Sequence, residues 1–299
     1  MRLIKPSFEI IEQKPGIDGL LQHIERCGRT CYKSEDKITE DSAEKFVNML
    51  VNRGHTAMVE HGTVYLHRLV DYSENYDLLD TAEEWGYRYM GNQYSNYHSI
   101  DHVRDDVIDI YITTNYRVLL QNGWLDDLQY LCEPTEHHVK RVTVKFVCDR
   151  GVSHEFVRHR VFSFAQESTR YCNYSKDKFG KECTFIIPTW FDKYMNDDYS
   201  DYHTLDWQAG LDSSCAETNW LYAMLFAEKS YFSSLENGMI AQQARAILPN
   251  SLKTELIMTG TIKQWEGFFK LRDAKDAHPQ ARELAQPLHE EFIKRGYIK

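Results

Sequence analysis

No glycine-, serine- or proline-rich linker interrupts the 299 residues of this chain, and no segment is repeated or of low complexity. Flexible segments of that composition usually mark domain boundaries, because few contacts cross them. We therefore expect a single domain over residues 1–299, with two acidic and aromatic insertions at about 71–110 and 190–213. Hydrophobic residues make up 42% of the chain and aromatic residues 13%, enough for a large core, which excludes a mainly disordered protein.

Hydrophobic spacing in the first half of the chain predicts one helix and two strands. Apolar residues recur with a helical period between Asp41 and Gly54, and either Asp41 or Ser42 can cap that helix. Apolar and polar residues alternate over 64–70, and a β-branched run occupies 142–148, both of which are typical of strands. We expect these two strands to belong to one sheet.

Helical patterns dominate the remaining segments. A helix is expected within residues 80–97, and a shorter one over 240–248. An aromatic and aliphatic stripe over 220–235 predicts a long helix, with Asp212 as its N-terminal cap and Gly238 at its C-terminal end. Because helix exceeds strand, the predicted fold class is α+β, with a mixed or antiparallel sheet packed against long helices.

Charge and hydropathy limit the classes of partner. The chain has 35 Lys and Arg against 45 Asp and Glu, a net charge of −10, which repels a nucleic acid polymer. A membrane helix needs about 18 consecutive apolar residues, whereas the longest candidate, 248–262, contains Lys253 and Glu255. The first residues, MRLIKP, precede no apolar run. We expect small-molecule ligands, no membrane contact and a cytoplasmic location.

The seven cysteines are scattered and include no C-x-x-C pair. Chains of this length rarely depend on disulfides, and a structural zinc site needs paired ligands at short spacing. We therefore expect free thiols and no metal site.

The segment from Arg158 to Tyr171 concentrates three arginines and a histidine in an acidic chain. A guanidinium group is a planar, permanent cation that suits phosphate and other planar oxygen acceptors. Ser163 and Ser168 add hydroxyl donors to the same segment. This pattern indicates a site for a phosphorylated ligand. From the residues alone, a solvated basic face paired with the acidic insertions is an open alternative.

The same segment resembles the R-H-R-x7-S-x-R-Y signature of the flavin-dependent thymidylate synthases. Residues 54–61, GHTAMVEH, resemble the family's G-H-x-[ST]-P-x-E-H turn. Residues 245–249, RAILP, followed by Leu271 and Arg272, resemble its C-terminal R-x-x-L-P…L-R element. The resemblance extends over roughly 20–70, 110–185 and 215–290.

This resemblance implies a function and an assembly. The family converts dUMP to dTMP, with methylenetetrahydrofolate as carbon donor and FAD, reduced by NADPH, as the source of hydride. Its members are homotetramers whose active sites form between subunits, and they share a thymidylate synthase-complementing fold. We therefore expect an NADPH-dependent methyltransferase that contains FAD and binds copies of itself.

The resemblance also assigns roles to individual residues of this chain. The residues expected to bind dUMP are Glu155, Arg158, Gln166, Glu167, Ser168, Thr169, Arg170, Arg245, Leu271 and Arg272. The residues expected to bind FAD are Cys31, His55, Ala57, Glu60, Arg158, His159, Arg160, Gln166, Thr261, Lys263 and Gly267. Arg272 is the expected catalytic residue, because a fixed cation at the pyrimidine edge favours the electron-rich, N3-ionised uracil. Its alternative role is a salt bridge to Asp273 or Asp276.

Several positions depart from the family pattern. Ala57 replaces a Ser or Thr that contacts FAD, and Ala165 and Gln166 replace the common Asn-Glu pair. Thr261-Ile262-Lys263 replaces an N-x-R flavin contact, and Gly267 stands where His or Asn is usual. These changes concern the flavin more than the nucleotide. They leave open a dUMP-binding sensor without turnover, or a flavoprotein reductase of unrelated chemistry, although FAD binding is still expected.

Other reactive side chains are assigned structural roles. His55, Glu60 and His61 lack the H-E-x-x-H spacing that places two imidazoles on one helix face, so we expect no metal there. Cys148 and Cys172 flank the signature but lack the P-C-H context of the unrelated folate-only thymidylate synthases. We expect both cysteines to be small core residues.

Overall fold

A computed structural model describes residues 1–191 and 216–299 of the chain. The strands are β1 (Arg2–Ile4), β2 (Ser7–Ile11), β3 (Thr63–Asp71), β4 (Asn96–His102), β5 (Val107–Asn115), β6 (Arg141–Asp149), β7 (Ser163–Gln166), β8 (Thr184–Ile186) and β9 (Lys253–Thr261). The helices are α1 (Gly16–Tyr32), α2 (Ser42–Asn52), α3 (Asp77–Met90), α4 (Tyr116–Asn122), α5 (Arg150–Phe156), α6 (Ala216–Glu236), α7 (Ala241–Ala244), α8 (Ile262–Arg272) and α9 (Pro279–Lys294). The predicted α+β class is confirmed. Within these residues no helix combines the length and apolar character needed to cross a bilayer.

A four-stranded antiparallel sheet, in the order β2-β6-β9-β7, carries the elements of the site. Its central strands β6 and β9 pair from Arg141 opposite Thr261 to Asp149 opposite Lys253. Helices α5, α8 and α9 cover one face of this sheet, where they enclose an aromatic core around Trp265. The β-branched and aromatic residues of β6 suit this buried position, and the predicted strand over 142–148 is confirmed.

A second antiparallel sheet, in the order β3-β5-β4, is separate from the first, since no strand of one pairs with a strand of the other among the described residues. The expectation that the strands over 64–70 and 142–148 share a sheet is therefore wrong. Alternation identifies a strand but not its partner, and β5 pairs with β3 along its full length. Residues 71–110 supply α3, β4 and the start of β5 to this unit.

The predicted helix over 80–97 is only partly correct. Helix α3 ends at Met90, and a turn that includes Gly91 leads into β4, which begins at Asn96. Tyr97 packs as a strand residue, because its register partner is Ile112 on β5. The predicted helix that begins after Asp41 is confirmed as α2.

Polar contacts join the two antiparallel sheets near Thr63. Arg141, at the start of β6, donates to the Glu60 carbonyl at 3.2 Å, to Thr63 Oγ1 at 3.3 Å and to the Thr114 carbonyl at 3.5 Å. Gln13 exchanges two hydrogen bonds with the Thr63 backbone at 2.8 and 2.9 Å. Burial lowers the pKa of Arg141 to about 10, so its guanidinium remains charged at neutral pH.

The long helix predicted over 220–235 is confirmed as α6, which packs against the parallel pair β1 and β8. Gly238 follows it with φ +95°, a conformation that glycine adopts without strain. The predicted cap at Asp212 and most of the insertion at 190–213 lie outside the described residues. The segment 240–248 is helical as predicted, but its last turn, Arg245–Ile247, is a 3-10 helix.

The free energy of unfolding should depend strongly on Trp265. Its side chain is fully buried, and its Nε1 donates to the Val142 carbonyl at 3.1 Å. Trp265→Ala should lower the free energy of unfolding by about 3–5 kcal/mol, because it leaves a cavity and an unpaired carbonyl. Glu266→Ala, at the next and exposed position, should change it by less than about 0.5 kcal/mol. Denaturant unfolding measures both, and equal effects would contradict this account of the core.

Candidate functional site

The arginine-rich signature follows β6 through a short helix and a turn. Asp149 caps α5 by accepting a hydrogen bond from the Val152 amide at 2.7 Å. Helix α5 ends at Phe156, and the chain returns to the sheet at Ser163 as β7. The signature therefore spans a helix end, a turn and an edge strand, which present residues 158–160 beside the carboxyl end of α8.

Arg272, the last residue of α8, contacts the signature from the other side of the fold. Its Nε donates to His159 Nε2 at 3.1 Å, and its Nη2 donates to the Glu155 carbonyl at 2.8 Å. Its Nη1 forms an ion pair with the Glu155 carboxylate. The alternative partner Asp273 is instead 2.9 Å from His289 Nδ1. We call this first cluster the arginine cluster: Glu155, Arg158, His159, Arg160, Leu271 and Arg272.

His159 is held in its neutral form. A guanidinium can only donate, so the Nε2 atom of His159 must accept and the ring proton must lie on Nδ1. Burial, and then the charge of Arg272, lower the pKa of His159 to about 4. Near neutral pH, the neutral His159 therefore orients the Arg272 guanidinium without adding a second charge.

The rest of the arginine cluster faces solvent. Arg158 and Arg160 are exposed, and Leu271 is 60% exposed at the end of α8. Lys263 and Gly267 precede Leu271 at intervals of four residues, so the three positions share one exposed helix face.

Thr261, predicted at the flavin, caps α8 through its side-chain oxygen, which accepts from the Gln264 amide at 3.3 Å. Its hydroxyl oxygen is therefore committed to the helix end rather than directed to the exposed face of α8.

A second cluster forms around the loop that follows β7. The Ser168 amide donates to the Cys31 carbonyl at 3.1 Å, and Ser168 Oγ accepts from the Arg170 amide at 3.3 Å. Arg245 Nη1 lies 3.5 Å from Oγ1 of the buried Thr169. Arg170 and Arg245 are exposed, and neither forms an ion pair with any described residue. We call residues 167–171 with Arg245 the anion loop.

Glu167 anchors the anion loop through contacts with buried residues. It is 2% exposed, and its two carboxylate oxygens accept from Lys253 Nζ at 2.8 Å and from the Tyr174 hydroxyl at 3.1 Å. Glu167 is thus paired within the chain, although it was predicted to contact dUMP. Lys253 also donates to Glu255 at 2.7 Å. Two further lysines reach the same carboxylate, Lys33 at 2.8 Å and Lys145 at 2.6 Å.

Gln166 is likewise committed inside the chain. Its Nε2 donates to Ser153 Oγ at 2.8 Å and to Thr254 Oγ1 at 3.3 Å. The amide therefore ties β7 to α5 and β9, and only its carbonyl oxygen remains for a ligand.

A cavity of about 430 Å³ opens beside the anion loop. Its lining residues are Cys31, Tyr32, Gly54, His55, Thr56, Ala57, Met58, Arg117 and Tyr171. The Tyr32 hydroxyl lies 2.8 Å from His55 Nδ1, and the rings of Tyr32 and Tyr171 are 5.3 Å apart between centroids. Arg117 forms an ion pair with Glu60, which places a cation at the wall. We call this cavity the ring pocket, because three ring side chains form its rim.

The histidines of the 54–61 turn do not converge. His55 faces Tyr32, whereas His61 is fully buried with its Nδ1 2.7 Å from Thr259 Oγ1. Burial lowers the pKa of His61 to about 3, so it is a neutral core residue. Among the described residues, no group of three or more His, Cys, Asp or Glu side chains is arranged to hold a metal.

The ring pocket, the anion loop and the arginine cluster form two hydrogen-bonded groups. The ring pocket and the anion loop adjoin through the Ser168–Cys31 hydrogen bond. Within residues 1–191 and 216–299, no hydrogen bond or ion pair joins either of them to the arginine cluster. Gln166 links the two groups indirectly, because it ties β7, which leads into the anion loop, to α5, which carries Glu155.

Sequence reasoning missed Tyr32, Arg117, Lys33 and Lys253. The two lysines and Arg117 stand outside the motifs, and nothing in the pattern around them distinguishes a buried cation from a solvated one. Tyr32 directly follows Cys31, and its position at the end of a helical pattern was the available signal. Cys148 and Cys172 are fully buried, as expected for core residues.

Comparison with known proteins gives the family. The model of the family described as "Thymidylate synthase complementing protein" matches residues 129–295, more than half of the chain. The chain belongs to this family. The matched range contains the arginine cluster and the anion loop but not the 54–61 turn.

Named relatives of the family are similar over part of their length. The flavin-dependent thymidylate synthases of Pyrococcus abyssi and Pyrococcus furiosus are 31% and 32% identical over 152 residues, 51% of this chain and 54% of theirs. That of Mycobacterium tuberculosis H37Ra is 32% identical over 141 residues, 46% of this chain and 50% of its own. The chain thus spans about half the length of the curated relatives it matches.

A solved structure also aligns with this family member. It is the UMP/dUMP methylase PolB from Streptomyces cacaoi bound with 5-Br dUMP, at 16% identity and a TM-score of 0.42, over 98% of this chain and 93% of that one.

The buried charges beneath the anion loop predict a dependence of stability on pH. Burial alone would raise the pKa of Glu255, but Lys253, Lys33 and Lys145 hold it well below its usual range. A depressed carboxyl pKa stabilises the fold above the unfolded pKa of about 4.5, and this contribution is lost as the pH falls below that value. Denaturant unfolding should therefore show that Glu255→Gln loses less stability than wild type between neutral pH and pH about 3.

At neutral pH the same variant should be less stable by about 3–5 kcal/mol, because three lysines lose a buried partner. Asp177→Asn is the matched control, since Asp177 is 89% exposed in its pair with Lys181. It should be close to neutral at both pH values. Parallel losses of stability in wild type and Glu255→Gln on acidification would refute this role of the network.

Proposed function

We propose that this chain is a flavin-dependent thymidylate synthase that converts dUMP to dTMP. Methylenetetrahydrofolate is the carbon donor, and FAD reduced by NADPH is the source of hydride. The observation that carries the proposal is the contact between Arg272 and His159, which joins two family motifs 113 residues apart. Membership of the family supports the same reaction.

The nucleotide phosphate is assigned to the anion loop. Arg170 and Arg245 offer two guanidinium groups without carboxylate partners among the described residues, and the backbone beneath them is tied to Cys31. Bidentate, charge-assisted hydrogen bonds to phosphate suit this arrangement. Glu167 holds the loop through Lys253 and Tyr174 rather than touching the nucleotide.

The residues of the ring pocket fit a flavin. Tyr32, His55 and Tyr171 provide flat surfaces for a planar ring system, and Arg117, which is paired with Glu60, lies at the wall of the pocket. Ala57 and Gly54 leave the turn backbone uncovered, as close approach of a cofactor requires. Reduced flavin, when bound, supplies the hydride of the reaction. Further flavin contacts are proposed at the arginine cluster and the exposed face of α8 beside it. They are Arg158, His159 and Arg160 of the signature, and Lys263 and Gly267 on α8.

Arg272 supplies the charge that the reaction needs. Methylation at C5 of uracil requires electron density there, which increases when N3 loses its proton. A guanidinium cannot release its own proton at neutral pH, so Arg272 stabilises the N3 anion without competing for it. The neutral His159 and the Glu155 carbonyl hold the guanidinium plane in place. We infer that the pyrimidine edge replaces the Glu155 carboxylate, the partner of Nη1 among the described residues, when the substrate binds.

We further propose a homotetramer whose active sites are shared between subunits, as the resemblance of the three motifs to the family implies. The ring pocket and anion loop of one chain would then meet the arginine cluster of another. We also propose that the whole chain forms one domain, since Arg141 and Gln13 connect its two antiparallel sheets.

Arg272→Ala should lose turnover selectively. Removing one preorganised charge-stabilising group typically costs about 10²–10³ in rate. We therefore expect dTMP formation to fall by that factor while the protein remains yellow and NADPH still bleaches the flavin absorbance. Arg272→Lys keeps the charge but not the forked geometry of the guanidinium. Its rate of dTMP formation should therefore lie between those of wild type and Arg272→Ala. A variant that unfolds or releases FAD would instead indicate a structural ion pair with Glu155.

Shared sites predict complementation between inactive variants. Arg170→Ala removes a phosphate contact of the anion loop, and Arg272→Ala removes the base contact of the arginine cluster. When the two proteins are unfolded, mixed and refolded, some sites should combine the intact group of each, and dTMP formation should return in part. Light scattering checks that mixed tetramers form. Mixed tetramers without any recovered activity, or a monomeric wild-type protein with FAD bound, would contradict the shared site.

A further inference from the structure

A second groove lies next to the ring pocket. Its volume is about 460 Å³, and its lining residues are Arg29, Tyr32, Ser34, Asp36, Lys37, Phe46, Met49, Arg53 and Lys178. Tyr32 lines both this groove and the ring pocket. A ligand that approaches the ring pocket can therefore extend a tail past Tyr32 into this groove, which we call the basic groove.

The rim of the basic groove is positively charged in an acidic chain. Lys37, Arg53 and Lys178 are exposed, and none of them forms an ion pair with a described residue. Asp36 is the only carboxylate among the described residues that line the groove. The charge of Arg29 is already neutralised by Glu25 at 2.7 Å. An excess of cations remains at the rim of a groove in a chain whose net charge is −10.

The floor of the basic groove is apolar and aromatic. Phe46 is 7% exposed, with the Arg29 guanidinium 4.5 Å from its ring centroid, and Met49 lies one helical turn further along α2. Together with Tyr32, these residues form a surface suited to an aryl group. The groove therefore offers an aromatic floor and, around it, cations for carboxylates or phosphates.

We propose that the basic groove binds the anionic tail of a cosubstrate, and we assign it to the aryl-glutamate tail of the one-carbon donor. This inference rests on the proposed function. A reduced folate joins its pterin through an aminobenzoyl ring to one or more glutamates, so an aryl group is followed by carboxylates. That order matches the groove, whose aromatic floor adjoins Tyr32 and whose cations stand at its rim. The phosphates of the reduced dinucleotide share the anionic chemistry, and the experiment separates the two sources.

Charge reversal at the rim tests the assignment directly. The probe is p-aminobenzoyl-triglutamate, which contains the tail without the reactive ring, and calorimetric titration measures its binding. Lys37→Glu and Arg53→Glu should each weaken binding about tenfold or more, and added salt should weaken wild-type binding. Lys294→Glu reverses one charge on an 80% exposed side chain of α9 and should bind as wild type does. Equal binding by all four proteins would overturn the proposal.

Kinetics identify the source of the tail. With triglutamyl methylenetetrahydrofolate, Arg53→Glu should raise KM about tenfold or more, and with the monoglutamyl donor it should raise KM much less, while KM for dUMP is unchanged. A KM increase for NADPH that is absent with NADH would assign the groove to the 2′-phosphate and overturn the folate assignment. If wild type makes no dTMP, the proposed function fails, but the calorimetric titration still decides whether the groove binds the tail.

Discussion

The antiparallel pairing of β6 with β9 is the interaction on which the site depends. Strand β6 leads into α5 and the signature, and β9 leads into α8. Since the two strands run in opposite directions, α8 begins at the end of the sheet away from α5 and runs back across it. Its last residue, Arg272, consequently reaches Glu155 and His159. The core around Trp265 fixes this path, because α8 packs its buried face on the sheet.

The same strand pair organises the charges beneath the anion loop. Lys253 and Glu255 lie two residues apart on β9, so their side chains share one face of the sheet. Glu167 follows the edge strand β7 and meets them there, with Lys33 from the end of α1. Buried charges are costly unless they are paired, and here each one restricts the position of the others. The two exposed arginines of the anion loop therefore stand on a rigid base.

Sequence reasoning could name candidate site residues, but it could not assign the strands to their sheets. The signature, the 54–61 turn and the element that ends at Arg272 are contiguous or regularly spaced, and their residue types carry their meaning locally. The prediction that the strands over 64–70 and 142–148 share a sheet was wrong, because alternation over 64–70 does not show that β5 is the partner of this strand. The family match begins at residue 129, so the β3-β5-β4 sheet lies before the matched range. The resemblance over roughly 20–70 rests on the 54–61 turn, and it did not indicate which strand pairs with β3.

The amino-acid sequence by itself determined which side chains can do chemistry here: permanent cations at 158, 160, 170, 245 and 272, and hydroxyl groups between them. Helices α2 and α6 could also be predicted from the sequence, because hydrophobic spacing is a local property. Only the tertiary structure decided which of these groups meet. It paired Arg272 with Glu155 and His159 rather than with Asp273, and it committed Glu167 to Lys253. Such pairings depend on strand register and helix packing between residues far apart in the chain, and no local pattern encodes those distances.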